Sequence, residues 1–439
     1  MTSERSEPSG ITEVARYCSE LIRIDTSNHG DDTGPGERAA AERVAEWLAD
    51  AGYAPVLVES APRRSNVVVR VPGTQPQLPA LLVHGHLDTV PAQPAAWQVH
   101  PFSGEFADGC VWGRGAVDMK NMDAMMVTVL RDLVRTGRRP RRDLVFAWLA
   151  DEEAGGARGA QYLVEHRPDL LEGCTEAISE VGGFSVQTAP GRHLYFVETA
   201  QKGLMWLRLT AEGKAGHASM LHPGNAVTEL AAAVTRIGRH TWPLSLTPTT
   251  RELLRDVSEA FGLPYDEEDP TRALAALGPL ARFVGASLRH VANPTRLAAG
   301  YATNVIPEQA TAEVDGRFLP GGEEEFRTVL DALSGPHVRL DTIDRSPAVE
   351  APFDSALVDA MRTALIAEDP GARVAPYCLS GGTDNKTFHH LGIRGYGFVP
   401  LRLPPGLDFA SMFHGLDERV PLDALDFGVR VLTRLVTAY

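Results

Sequence analysis

The chain has 439 residues, a length that suits two domains better than one, and its 44% hydrophobic and 23% charged content excludes disordered, collagenous and disulfide-scaffold classes. Its net charge of −15 argues against nucleic acid or anionic membrane as general partners, because phosphate contact needs a basic face. A small-molecule or peptide substrate fits that balance better. Cys18, Cys110, Cys174 and Cys378 lie far apart and form no C-x-x-C pair, so neither a disulfide framework nor a zinc knuckle is expected, and a reduced compartment is. The N-terminal MTSERSEPSG lacks the basic and apolar regions of a signal peptide, and no apolar run nears the roughly 18 residues needed to span a bilayer. A cytoplasmic protein is expected.

In chain order, 11–24 and 36–51 read as helices, and 66–71 and 79–85 as short β-rich runs. After GCVWGRG at 109–115, Met122, Met125, Met126, Val129, Leu130 and Leu133 recur at helical spacing up to Gly137, which predicts a helix with a methionine-rich core stripe. The run Asp143 to Ala150 reads as a strand followed at once by Asp151-Glu152-Glu153, and AISE at 177–180 ends another. Acidic residues therefore collect at strand C-terminal ends, the edge where open α/β sheets bind ligands. From about Glu198 the order becomes β-α-β-β-α-β, interrupted by a helical insertion at 250–280; such an order closes a two-layer sandwich of its own. The expectation is an α/β chain with a mixed sheet flanked by helices in residues 1–198 and 346–439, carrying an inserted α+β domain at 199–345.

The chemistry begins at His84-Gly85-His86-Leu87-Asp88, where i, i+2 and i+4 share one strand face. Two imidazoles and a carboxylate there suit either a metal site or a hydrogen-bonded histidine pair. Asp118 opens the methionine-striped helix, where a carboxylate also serves free N–H groups. The adjacent Glu152 and Glu153 repel one another unless solvent or a cation separates them. Glu180 and His414, each weak alone, add to a set of nitrogen and oxygen donors of the zinc type. No G-x-S-x-G elbow, Walker loop or G-x-G-x-x-G occurs, and no cysteine sits in a nucleophile motif.

The ordered segments HGHLDTV, GRGAVDMK, DEEAGG, SEVGG, GKAGHAS, NVIPEQATAEVDGRFLPG, GGTDNKTF and HGLDERV resemble the dinuclear zinc aminoacylase, carboxypeptidase and deacylase family, with the C-terminal part closest to its yeast carboxypeptidase S-like branch. The resemblance runs from about 11 to 435, the 250–280 insertion excepted. It implies two Zn2+ per subunit, replaceable by Co2+ or Mn2+. One would be held by His86, Asp118 and Glu180, the other by Asp118, Glu153 and His414, with Asp118 bridging; Asp88 would stand behind His86, and His84 would not be a ligand. Glu152 would be the general base that helps metal-bound hydroxide cleave the amide of a small peptide or N-acyl amino acid. The inserted domain would be a lid through which a homodimer forms, and its His217 would reach the partner's site. Asn304, Arg317, Gly382 and Thr383 would bind substrate. Leu221 and Asn385-Lys386 depart from the residues common in relatives, near substrate rather than metal. The competing readings are a deacylase of a non-peptide amide and a catalytically silent metal-binding relative.

Overall fold

The structure, a computed structural model, describes residues 10–222 and 224–439. Residues 1–9, on which the expected lack of a signal peptide rests, lie outside the described residues. Among the described residues no helix is long and apolar enough to cross a membrane, and all four cysteines are free.

Two sheets organise the chain. The larger has ten strands, in the order Val56–Ala61, Arg64–Val71, Leu144–Leu149, Ala80–His86, Cys174–Ser179, Arg394–Gly397, Arg192–Gln201 and Val349–Glu350, with Ala372–Leu379 and Ser185–Ala189 also paired to Arg192–Gln201. It is mixed: Ala80–His86 runs parallel to Leu144–Leu149 and to Cys174–Ser179, while Arg64–Val71 is antiparallel to its neighbour. Every residue of Ala80–His86 and of Leu144–Leu149 is buried, as expected of strands covered on both faces. Alternate residues feed opposite cores. Leu81 and Val83 join the core under the helices Glu13–Arg23, Arg38–Asp50, Lys120–Thr136 and Leu422–Ala438, whereas Leu82 packs with Leu163, Leu171 and Phe388 on the other face. The methionine stripe is buried in the first of these cores, and its helix stops at Gly137, whose φ of 65° is the left-handed cap that glycine adopts without strain.

The smaller sheet has the order Val291–Ala299, Gln309–Phe318, Gly203–Glu212 and Val338–Ser346, antiparallel throughout. Residues of Gln309–Phe318 are buried alternately, and the inward set packs under the helices Ala226–Arg239 and Glu323–Ser334 in a core of its own. This is the β-α-β-β-α-β order read from the sequence. The insertion goes elsewhere. Its helices Pro248–Phe261, Thr271–Ala276 and Ala281–Gly285 place Leu253, Leu254, Val257, Leu277 and Val284 in the core of the large sheet, so the segment sits between small-sheet elements in sequence but packs with the other body. A three-stranded ribbon, Arg419–Pro421, Cys110–Trp112 and Glu105–Ala107, carries the segment after His414 alongside the one before Asp118.

Leu253 is fully buried, so Leu253→Ala should cost about 2–5 kcal/mol through lost transfer energy and a residual cavity. Chemical denaturation checks this; an unchanged midpoint would make the insertion an appendage rather than part of the large-sheet core.

Candidate active site

The C-terminal ends of the central parallel strands deliver the acidic and imidazole groups to one edge. His86 closes its strand, Glu152 and Glu153 follow Leu144–Leu149, and Glu180 follows Cys174–Ser179. His86 Nε2 lies 3.0 Å from Asp118 Oδ1 and 3.6 Å from Glu180 Oε2. His414 Nε2 lies 3.2 Å from Asp118 Oδ2 and 3.1 Å from Glu153 Oε2. The two oxygens of Asp118 thus face different imidazoles. Two three-residue groups result, His86 with Asp118 and Glu180, and Asp118 with Glu153 and His414; within each, one donor atom per residue lies within 4.8 Å of the others.

The donors are held by groups behind them. His86 Nδ1 faces the Asp88 carbonyl at 3.0 Å and the Asp88 carboxylate at 3.5 Å. The same carboxylate accepts the backbone N–H groups of Glu152 and Glu153, each at 3.1 Å, and the Asn28 amide at 2.9 Å, so it fixes both the ring and the turn bearing the glutamate pair. Val90 N–H donates to Glu153 Oε1 at 3.2 Å. Positive φ values at Asp151 (69°), Val181 (57°) and His414 (57°) put three non-glycine residues in the left-handed region next to, or at, the donors; for the β-branched Val181 this is a marked outlier, a cost that clusters at functional sites.

Electrostatics follow from this crowding. Burial pushes Glu180 up to about 7. Burial and then the charge of Glu180 hold Glu152 well above the usual carboxylate range, and burial with the Asp118 charge raises Glu153. Burial opposes ionisation of Asp118 too, but hydrogen bonds from His414 and His86 outweigh it and hold that carboxyl below its ordinary value. His414 is raised to about 10 by its bonds to Asp118 and Glu153. Among the described residues, the ion pairs of Asp118, Glu153 and Glu180 are with these two imidazoles and with no Lys or Arg. Buried carboxylates short of cations, arranged in two nitrogen-oxygen sets, fit divalent metal ions of the zinc type.

The other expected site residues are placed differently. His84 is buried, bonded to Asn385 Oδ1 at 2.9 Å, and burial pulls it down to about 4, leaving it neutral and outside both groups. His217 and Asn304 are exposed neighbours on a two-stranded ribbon: His217 pairs with Val305, and Ala218 N–H donates to the Asn304 carbonyl at 3.0 Å. Arg317 makes a forked pair with Asp315 at 2.7 and 2.9 Å. Gly382 is exposed, whereas Thr383 is buried with its amide and hydroxyl both engaged by Gln201.

With that geometry in place, comparison with known proteins is direct. The model of peptidase family M20/M25/M40 matches residues 82–438. The chain belongs to this family. It is therefore a hydrolase acting on amide or peptide bonds. The N-fatty-acyl-amino acid synthase/hydrolase PM20D1 of Xenopus tropicalis is 29% identical over 84% of this chain and 74% of its own length. Human aminoacylase-1 is 27% identical over 99% of this chain and 96% of its own. The M20 metallo-carboxypeptidase Sso-CP2 from Sulfolobus solfataricus shares the fold with a TM-score of 0.72 at 17% identity, covering 97% of this chain and 99% of that one.

Within this M20 chain, two acids matter that the sequence motifs contain but gave no role. Glu418 is fully buried; its Oε1 accepts N–H from Val117 at 2.6 Å and Asp118 at 3.0 Å, and its Oε2 accepts from Gly115 at 3.0 Å and from Arg114 at 2.8 Å. It anchors the turn that presents Asp118. Asp384 is buried with Oδ2 unpartnered, and burial holds it well above the carboxylate range. The signal for both was position within a motif; what they touch depends on chain segments hundreds of residues away.

Glu418→Ala leaves Arg114 buried without its carboxylate, so a loss of about 3–5 kcal/mol is expected. Replacing Arg114 by Met as well should recover only the part owed to the unpaired guanidinium, because the N–H groups of Gly115, Val117 and Asp118 stay without their acceptor; unfolding free energies of the wild type and the two variants measure both. Equal losses in the single and double replacements would count against the buried pair.

Proposed function

We propose that the chain is a dinuclear zinc amidohydrolase that cleaves the amide bond of a small peptide or N-acyl amino acid, works in the cytoplasm, and pairs as a homodimer through the 199–345 domain acting as a lid. The observation that carries this reading is the pair of three-residue donor groups sharing Asp118. His86, Asp118 and Glu180 would hold one ion, and Asp118, Glu153 and His414 the other. When bound, the ions would supply Lewis-acid polarisation of the scissile carbonyl and lower the pKa of an attacking water.

The chain's own groups do the rest. Glu152 takes the proton of the water as its oxygen bonds to the carbonyl carbon, and returns it to the amine nitrogen as the C–N bond breaks, since an amine does not leave as an anion. Asp88 holds the turn on which Glu152 sits. His217 is a donor for the developing oxyanion, and its exposed position on a ribbon of the small sheet supports service in a partner's site. Asn304, Arg317 and the 382–383 loop would bind substrate around it.

Metal loading should be linked to protons. At neutral pH the metal-free His414, raised to about 10, carries a proton that a metal ion must displace, so binding releases it. Affinity for Zn2+ should therefore rise with pH, by about tenfold per unit for each proton released, up to the neighbourhood of that value. Competition titrations with a chelator at pH 6, 7 and 8 measure this; affinity independent of pH would count against protonated imidazoles, His86 as well as His414, in the metal-free site.

Glu152→Ala is expected to retain two metals and lose about 10²- to 10⁴-fold in turnover of N-acetyl amino acids or dipeptides, whereas Glu153→Ala should lose metal. Activity assays beside metal analysis decide between the roles, which would be wrong if the two phenotypes were exchanged.

His217→Ala and Glu152→Ala chains, each slow alone, should regain activity when subunits exchange, because one site of a hybrid dimer then carries neither lesion. Verified exchange without recovery would place His217 in its own chain's site or outside catalysis.

A further inference from the structure

Behind the donor groups lies a second buried polar cluster, centred on Asn28 in the segment between Glu13–Arg23 and Arg38–Asp50. Its backbone N–H donates to the Thr89 carbonyl at 2.8 Å, which pins it beside the strand end that carries His86. Its side-chain nitrogen donates to Asp88 Oδ2 and to Asp151 Oδ1, each at 2.9 Å. Its side-chain oxygen accepts from Gly30 N–H at 3.0 Å and from Arg64 Nη2 at 3.1 Å. A carboxamide has two N–H donors and two acceptor sites, and all four are engaged here. That fixes which way the amide faces. Turned over, it would set a carbonyl oxygen against two carboxylates, and an NH2 group against a guanidinium and a backbone N–H. Arg64, itself buried, is held in turn by the fully buried Glu37 and lies 3.4 Å from Asp32 and 3.8 Å from Asp151. Asp151 opens the turn of Glu152 and Glu153: its carbonyl accepts N–H from Ala154 at 3.2 Å and Gly156 at 2.7 Å, and its Oδ2 accepts from Arg158 N–H at 3.0 Å.

We propose that Asn28 is a positioning residue: by giving one N–H to Asp88 and the other to Asp151, it ties the carboxylate behind His86 to the turn that carries Glu152 and Glu153, and the Arg64–Glu37 pair holds its amide in that sense. For the reaction this rests on the amidohydrolase reading above; for the donor groups it does not. The physical ground is that two buried carboxylates sharing one neighbour repel each other unless donors stand between them, and Asn28 supplies both donors without adding charge of its own. Asp88 meets His86 and the Glu152 and Glu153 N–H groups, so whatever fixes it fixes a donor of one group, a donor of the other and the proposed base together. Misplacement of such a group by about 1 Å costs about 10²-fold in rate.

The test compares the full chain with Asn28→Ala and Asn28→Asp, and with Leu253→Ala as a variant destabilised away from the site. Affinity for Zn2+, read by chelator competition, should fall about 10–100-fold in both Asn28 variants, the usual cost of removing a group that orients metal ligands. At saturating Zn2+, kcat for a dipeptide or N-acetyl amino acid should fall by a similar factor with KM little changed. Asn28→Asp keeps the size and the acceptor oxygen but sets a third carboxylate where two N–H donors stood, so it should do no better than Asn28→Ala. Leu253→Ala should keep the wild-type zinc affinity and kcat. Wild-type values of both in either Asn28 variant overturn the inference. So does an aspartate variant that restores what alanine loses, since volume rather than donation would then matter, and so does Leu253→Ala reproducing the Asn28 losses. If neither Asn28 variant folds, Asn28→Ser, which keeps one donor, carries the same comparison. A wild type that binds two zinc ions and turns over no amide would sink the amidohydrolase reading, while the zinc affinities still decide whether Asn28 positions the donors.

Discussion

One carboxylate, that of Asp118, is shared by two imidazoles that arrive from opposite ends of the chain, and the site depends on that sharing. His86 comes from the central strand of the large sheet and His414 from a turn more than 300 residues later; each meets a different oxygen of Asp118. Three further carboxylates crowd the same volume. Like charges so close in a poorly solvated space raise one another's pKa, and the arrangement persists because the backbone leaves them little freedom. Asp88 and Glu418 act as clamps from behind, accepting main-chain N–H groups of the two turns that present Glu152, Glu153 and Asp118. Hydrogen bonds from N–H to an ionised acceptor are among the stronger ones available to a fold. Acids thus serve in two capacities, as donors toward the site and as anchors for its loops.

The topology explains why such a set can be assembled. Parallel pairing of Ala80–His86 with Leu144–Leu149 and Cys174–Ser179 sends three chain segments out at the same edge. The segment bearing His414 lacks such a strand, and reaches the site because Arg419–Pro421 pairs with Cys110–Trp112 just ahead of the Asp118 turn. Glu418 bonds across the same junction. A short ribbon separate from the large sheet therefore holds the His414 segment beside the Asp118 turn.

Much of this is legible in the amino-acid sequence. The helical recurrence of Met122 through Leu133, the stop at Gly137 and the apolar runs ending at His86 and Ala150 are local patterns, and local patterns fix helix and strand type. The motifs named every residue of both donor groups. What stayed hidden is non-local. The pairing of Arg419–Pro421, the anchoring by Glu418 and the engagement of Thr383 by Gln201 join segments far apart in sequence, and no periodicity records them. The insertion was legible as helices with Ala and Leu at helical spacing, but that spacing marks an apolar face without saying what it meets. Only packing assigns Leu253 and Val284 to the large-sheet core. The helices of the insertion also continue past the expected boundary at 280, through Ala281–Gly285.

The cations at and beside the proposed substrate-binding positions already have partners. Arg317 already holds Asp315 in a forked pair, and Lys386, which burial pushes down to about 8, already donates to the Lys202 carbonyl at 2.5 Å and to Ser346 Oγ at 3.3 Å. A substrate carboxylate arriving at either group exchanges one partner for another. At the part-exposed Arg317–Asp315 pair such an exchange yields little, since even an unopposed surface ion pair contributes about 0–1 kcal/mol. In the proposed amidohydrolase these charged groups are better suited to orient a substrate than to hold it.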